Sequence, residues 1–206
     1  MKPAGVLLAL VLLPLLGTTA HADKSFNPVA LAARVQLSLV RVEYPDYSDP
    51  ERREGQTRSC AGFVVDAARG YVLTARHCVP SPEGVSPVYV DGEETRILAI
   101  NGLFALLAYH PMRKPPLDIR KDAPSRGEPV VSVGYGYGVL TVLVRHVASL
   151  VADDVSIDGP LVPGMSGGPT VDAQGRVVFL NQVSNEAMGA GCGGAEIRAF
   201  LTTVKH

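Results

Sequence analysis

The chain has 206 residues, with 19 Lys+Arg against 20 Asp+Glu and a hydrophobic content of 47%. That length is one domain, or two small lobes sharing a core, and the balanced charge argues against a nucleic-acid binder, which would carry an excess of Lys and Arg. Charged residues at 19% beside so much hydrophobic matter exclude disorder, while 21 glycines, 16 prolines and no tryptophan point to the many turns of an all-β protein.

The first 22 residues read as a targeting segment rather than part of the fold. Lys2 supplies the positive start, Val6 to Leu16 is apolar and interrupted only by Pro14, and Ala20-His21-Ala22 is a small-x-small cleavage site before Asp23. The apolar run is well short of the ~20 residues that span a bilayer. The expectation is a cleaved signal peptide, no stable membrane anchor, and export to the periplasm or the extracellular space, where disulfides persist. The remaining 184 residues are long enough to bury roughly 70% of the surface exposed by the unfolded chain.

Asn27-Pro28 followed by Val29 to Arg34 predicts a short capped helix. Val35 to Glu43 alternates apolar and polar residues as a half-buried strand does, and Tyr44 to Arg58, with Pro45, Pro50 and Gly55, reads as a loop. Short strands are expected at Cys60–Asp66, Gly70–Thr74, Val85–Val90, Thr95–Asn101 and Leu103–Tyr109, with Asp91-Gly92 as a turn. Two Pro-rich, charged stretches within 111–128 form a linker. A second group follows at Val130–Tyr135, Val139–Ala148, Val155–Asp158, Gly168–Val171 and Gly175–Val183, and the chain closes on an amphipathic helix over 195–204. Short strands so closely spaced belong to a sandwich or barrel. Two such runs predict two packed β-barrels, over about 35–110 and 129–194.

Two segments carry the chemistry. One is Cys60-Ala61-Gly62-Phe63-Val64-Val65-Asp66, continuing through Gly70-Tyr71-Val72-Leu73-Thr74-Ala75-Arg76-His77-Cys78. The other is Gly164-Met165-Ser166-Gly167-Gly168-Pro169, followed by Gly175 to Asn181. Together they resemble the trypsin-like (chymotrypsin-fold) serine proteases, and the details are similar to the bacterial HtrA-like branch. Alone, His77 reads as a strand-end histidine beside a cysteine and Ser166 as part of a glycine-rich turn. In this order, about 90 residues apart, the two motifs form a specific signal. The resemblance implies two six-stranded antiparallel barrels, an exported endopeptidase acting on peptide or protein substrates, and no cofactor or metal. A serine hydroxyl is a weak nucleophile and needs a base; the family's base and nucleophile positions fall on His77 and Ser166. Its oxyanion hole falls on the N–H groups of Gly164 and Ser166, and its histidine-loop disulfide on Cys60 and Cys78.

The third triad member departs from the pattern. The family places an aspartate a few tens of residues after the histidine, in Asp-hydrophobic-Ala-Leu-Leu. Here Leu103-Phe104-Ala105-Leu106-Leu107 fits with Leu103 in the acid's place, and no Asp or Glu lies between Glu94 and Asp118. This departure motivates a second reading, a catalytically impaired pseudoprotease that serves as a protein-binding module. Cys192 is left unpaired. A zinc site lacks the paired Cys-x-x-Cys spacing. Met165 cannot form the ion pair by which digestive relatives switch on. Pro160 stands where a basic-specific pocket would hold an acid, and Phe179 either narrows that pocket or belongs to the core. Histidines 110, 146 and 206 sit in no motif. The sequence leaves the oligomeric state open.

Overall fold

The computed structural model describes residues 26–46, 56–81, 86–109 and 113–204. The expected signal peptide, His110 and His206 lie outside them. Among the described residues, no helix is long and apolar enough to cross a membrane.

Helix α1 (Pro28–Gln36) begins where the sequence placed it: the Asn27 side chain accepts the Ala30 N–H at 3.0 Å, and Pro28 occupies the first turn. It runs further than expected, because Leu31 and Val35 bury one face, so Val35 lies within the helix instead of starting a strand. Strand β1 (Leu39–Asp46) then pairs antiparallel with β2 (Gln56–Asp66) along its whole length. The expected loop from Tyr44 to Arg58 is therefore partly strand. Tyr44, Pro45 and Asp46 face Arg58, Thr57 and Gln56, and an Arg58 Nε–Asp46 Oδ2 bond of 2.6 Å ties the extension across the pair.

With β3 (Tyr71–Ala75), β4 (Val88–Val90), β5 (Glu93–Ile100) and β6 (Phe104–Ala108), these strands close a barrel in the order β1-β2-β3-β6-β5-β4. The second barrel holds β7 (Pro129–Gly134), β8 (Thr141–Val151), β9 (Asp154–Asp158), β10 (Pro169–Val171), β11 (Val177–Ser184) and β12 (Met188–Gly193), with β10 and β7 paired to close it. Strand β12 was missed in the sequence. Its Gly189, Gly191 and Gly193 weaken any strand propensity. A Cβ at Gly191 would lie 1.9 Å from the Leu180 carbonyl oxygen, so close packing on β11 excludes a side chain there.

Helix α2 (Gly194–Thr203) packs on β11 and β12 and sends Phe200 to Phe104 of barrel one, ring centroids 5.5 Å apart. One apolar core fills barrel one and continues through both helices into the β7, β10 and β11 wall of barrel two. A second, smaller core surrounds Met165, Phe179 and Ile157. Phe179 is thus a core residue, fully buried. The fold is all-β with two closed six-stranded barrels and a C-terminal helix, and it brings the end of β3 against the loop before β10.

Candidate active site

His77 is carried by barrel one. Ala75 pairs with Phe104 across β3 and β6, and the chain then enters a 3-10 turn over Arg76–Cys78. The Arg76 N–H donates to the Leu103 carbonyl at 2.9 Å. Cys78 is bonded to Cys60, as the family resemblance implied, and its sulfur lies 3.6 Å from the Ser166 carbonyl oxygen. One crosslink therefore holds the histidine turn to β2 and against the serine loop.

His77 is exposed at its outer edge. Desolvation of the rest of the ring, then the positive charge of Arg58, pushes its pKa below the ordinary histidine value. No carboxylate among the described residues offsets those effects. The imidazole is therefore neutral at neutral pH and free to accept a proton.

Ser166 lies in the glycine-rich loop of barrel two. Two glycines there are dictated by geometry. Gly164 has φ +96°, and a Cβ on it would meet the Tyr135 carbonyl oxygen at 2.3 Å; Gly167 has φ +80° and would meet Ala61 O at 2.2 Å and Thr74 Oγ1 at 2.3 Å. The loop is pinned to barrel one by the Ala61 N–H donating to the Ser166 carbonyl at 2.8 Å.

The orientation of two peptide groups follows from what anchors their carbonyls. The Pro163 carbonyl accepts the Tyr137 N–H at 2.8 Å, and the Met165 carbonyl accepts the Gly168 N–H at 3.0 Å and Asn181 Nδ2 at 3.3 Å. In a trans peptide the N–H points opposite to the C=O. The N–H groups of Gly164 and Ser166 are thereby turned away from these anchors, and neither donates to an acceptor among the described residues. Tyr137 achieves its bond in a left-handed conformation, φ 49° and ψ 35°, which a bulky residue adopts only where its surroundings impose it.

Leu103 sits at the turn entering β6, beside the histidine turn, and is 38% exposed. Its carbonyl accepts both the Arg76 N–H and Gln182 Nε2, the latter at 2.6 Å. Gln182, on β11, was not singled out in the sequence, although it directly follows the quoted Gly175–Asn181 segment. It bridges the barrels: its own carbonyl accepts the Ser166 hydroxyl at 3.4 Å, a long contact for O–H···O that holds the hydroxyl only weakly. The cleft beyond Ser166 has a volume of about 480 Å³ and is lined by Pro160 to Pro163 from the segment before the serine loop and by Gln182, Ser184, Asn185 and Glu186 from the end of β11 and the loop after it. Phe179 does not line it.

The other residues weighed in the sequence lie elsewhere. Met165 is buried in the core of barrel two. His146 pairs with Asp158 at 3.0 Å on the surface. Cys192 is free and buried, and burial first, then the charges of Glu196 and Asp154, pushes its thiol up to about 12. His77 lies close to two sulfurs, but the disulfide occupies both and leaves no thiolate for a metal.

Two closed barrels, with a histidine turn from one and a glycine-rich serine loop from the other, define the chymotrypsin-type peptidase fold. Residues 60–178 match the family model described as the trypsin-like peptidase domain, and the chain belongs to that family. Among curated relatives it is 28% identical over 148 residues to a probable periplasmic serine endoprotease, DegP-like, of Bartonella henselae, covering 65% of this chain and 29% of that protein. A protein of the same description from Pseudomonas fluorescens is 26% identical over 144 residues, covering 63% of this chain and 30% of the relative. The match thus spans less than a third of either relative. Among solved structures, the active form of the Rv3671c protease from M. tuberculosis superposes with a TM-score of 0.72 at 20% identity, covering 84% of this chain and 83% of that one. The serine endoprotease from Yersinia pestis gives 0.73 at 19%, covering 86% and 66%. Both are likenesses of fold.

Proposed function

We propose that the chain is an exported serine endopeptidase that hydrolyses peptide bonds through an acyl-enzyme on Ser166. In this reading Ser166 Oγ attacks the substrate carbonyl carbon while His77 takes the hydroxyl proton, and the carbonyl oxygen becomes an oxyanion held by the N–H groups of Gly164 and Ser166. As the C–N bond breaks, His77 returns the proton to the leaving amine. Water then attacks the ester, gives a proton to His77, and Ser166 is released with its hydroxyl restored.

The observation that carries the reading is the pair of anchored carbonyls at Pro163 and Met165, which orients two N–H donors that have no acceptor among the described residues. Such fixed donors are often the largest contribution to acyl transfer. Signal-peptide cleavage before Asp23 and a triad-acid position at Leu103 belong to the same proposal.

A second reading, a pseudoprotease that binds protein without cleaving it, is favoured by one observation: among the described residues the charge acting on His77 is the cation of Arg58, not a carboxylate. The two readings separate on covalent labelling by a serine-directed fluorophosphonate. The peptidase reading expects labelling that maps to Ser166 and disappears in Ser166→Ala. A folded protein that never labels supports the binding module.

A further inference from the structure

Behind the serine loop runs a fully buried chain of side-chain hydrogen bonds that neither the nucleophile nor the histidine touches. Ser132 on β7 meets Thr170 on β10 with their hydroxyl oxygens 2.6 Å apart, Thr170 donates to Asn181 Oδ1 on β11 at 2.7 Å, and Asn181 Nδ2 donates to the Met165 carbonyl at 3.3 Å. All three side chains are fully buried.

The direction of this chain is fixed. Met165 offers only an acceptor, so the Asn181 amide must present its nitrogen there and its oxygen to Thr170. Thr170 spends its one proton on that oxygen, so Ser132 donates to Thr170. Asn181 also holds the loop through its main chain: its N–H donates to the Gly168 carbonyl at 2.9 Å and its carbonyl accepts the Gly167 N–H at 2.8 Å. Buried polar groups in such a series are costly to leave unpaired, which makes the arrangement rigid.

We propose that Asn181, supported by Thr170 and Ser132, is a positioning residue that sets the direction of the Ser166 N–H. The inference rests on the acyl-transfer reading above for its consequence, though not for its geometry. By drawing the Met165 carbonyl into barrel two, Asn181 turns the opposite end of the same peptide plane toward the cleft. Without that pull, the Gly168 N–H remains as a single anchor on the Met165 carbonyl, and the peptide can rotate about Met165 ψ and Ser166 φ, with Gly164 and Gly167 just outside it able to absorb the change. The effect belongs to the transition state, when negative charge appears on the substrate oxygen, and not to substrate binding.

The test uses Asn181→Ala, with Thr170→Val as a milder variant that keeps side-chain shape while removing the hydroxyl. Removing an oxyanion donor outright costs about 10²- to 10³-fold in kcat. Loosening one is expected to cost less, about 10- to 100-fold for Asn181→Ala and on the order of 10-fold for Thr170→Val. KM should be unchanged, and affinity for a peptide boronic acid, whose tetrahedral adduct places an oxygen where the oxyanion forms, should fall in step with kcat. Affinity for an uncleavable peptide should not move. Thr170→Ser, which retains the hydroxyl, should recover most of the lost rate. Crystal structures of the wild type and Asn181→Ala supply an arm independent of activity. A Met165 carbonyl that still points into barrel two in Asn181→Ala, or a kcat within twofold of wild type, overturns the proposal. A wild type that never labels, in company with a turned peptide in Asn181→Ala, removes the acyl-transfer reading and leaves the positioning role standing.

Discussion

The Leu103→Asp substitution tests the site at its weakest point. Changing the triad aspartate of chymotrypsin-type enzymes to an amide lowers turnover about 10⁴-fold, because the amide enforces the wrong imidazole tautomer. Leucine enforces no tautomer, but it neither orients the ring nor stabilises the imidazolium. The backbone at Leu103 is already fixed: its carbonyl holds the Arg76 N–H and Gln182 Nε2, and its N–H donates to Asn101 Oδ1 at 2.8 Å. A new aspartate thus starts from a defined Cα position next to the histidine turn. At about 5 Å and an effective dielectric of about 20, a carboxylate–imidazolium pair interacts by about 3 kcal/mol. Desolvation opposes this, yet at 38% exposure the new carboxylate keeps part of its hydration and avoids the cost of a fully buried charge, several kcal/mol. The expected gain is on the order of 10- to 10³-fold in kcat/KM, or about 1.4–4 kcal/mol of transition-state stabilisation.

The pH dependence supplies an independent sign. Desolvation and Arg58 both disfavour the His77 cation, so if His77 is the base, as proposed, the wild type should keep it neutral, and keep its reactivity, to pH values below the ordinary histidine pKa of about 6.5. A carboxylate beside the ring favours the cation and raises the pKa. The acidic limb of the Leu103→Asp rate profile should therefore move to higher pH while its plateau rises. Fluorophosphonate inactivation rates across pH, for wild type and variant, measure both. A folded Leu103→Asp with an unmoved limb and no faster plateau would refute the placement of Leu103 beside the imidazole.

Three further outcomes are expected. The Cys60–Cys78 crosslink closes a loop of sequence separation 18, so its loss in Cys60→Ala/Cys78→Ala should lower stability by about 3 kcal/mol in denaturant titrations; an unchanged midpoint refutes the argument. The buried Cys192 thiol, pushed up to about 12, should resist iodoacetamide at pH 8 in the native protein and react only on unfolding, as read by intact mass. The cleft beyond Ser166 is lined by the apolar Pro160, Leu161 and Val162, and Glu186, exposed, is its one ionisable lining residue among the described residues. A peptide library should therefore show medium-sized apolar residues before the scissile bond, whereas a profile dominated by Lys and Arg would assign specificity to Glu186 instead.

The sequence disclosed most where one residue type had one physical use. Asn27-Pro28 announced a helix start, and alternating strands cut by turns announced barrels. Glycines at 164 and 167 foretold backbone that only glycine adopts comfortably. What stayed hidden depended on partners distant in the chain. Tyr44 to Asp46 became strand because Thr57, Arg58 and their neighbours lay opposite, and β12 became strand because its glycines fit against β11. Phe179 declared itself core only once Met165 was seen packed in the same cluster. In the site, His77 and Ser166 were legible through motif, whereas Gln182 and the Ser132–Thr170–Asn181 chain emerge only when β7, β10 and β11 are laid side by side.

The choice between enzyme and binding module turns on which parts of the site would be kept for either purpose. A surface that only holds a peptide needs a cleft, and barrel packing alone can supply one. It has no use for Tyr137 held at φ 49° so that its N–H reaches the Pro163 carbonyl, since such a backbone costs of order 1–3 kcal/mol. Nor does it need a three-residue buried chain ending on the Met165 carbonyl. Both devices act on the peptides that carry the Gly164 and Ser166 N–H groups, the donors that the proposed reading assigns to an oxygen carrying charge. On the proposed reading, Leu103 in the acid's place weakens the base, not the oxyanion site. If His77 and Ser166 act as proposed, the oriented N–H groups retain the part of acyl transfer that is hardest to assemble, so the expectation under that reading is a slow peptidase rather than an inert one.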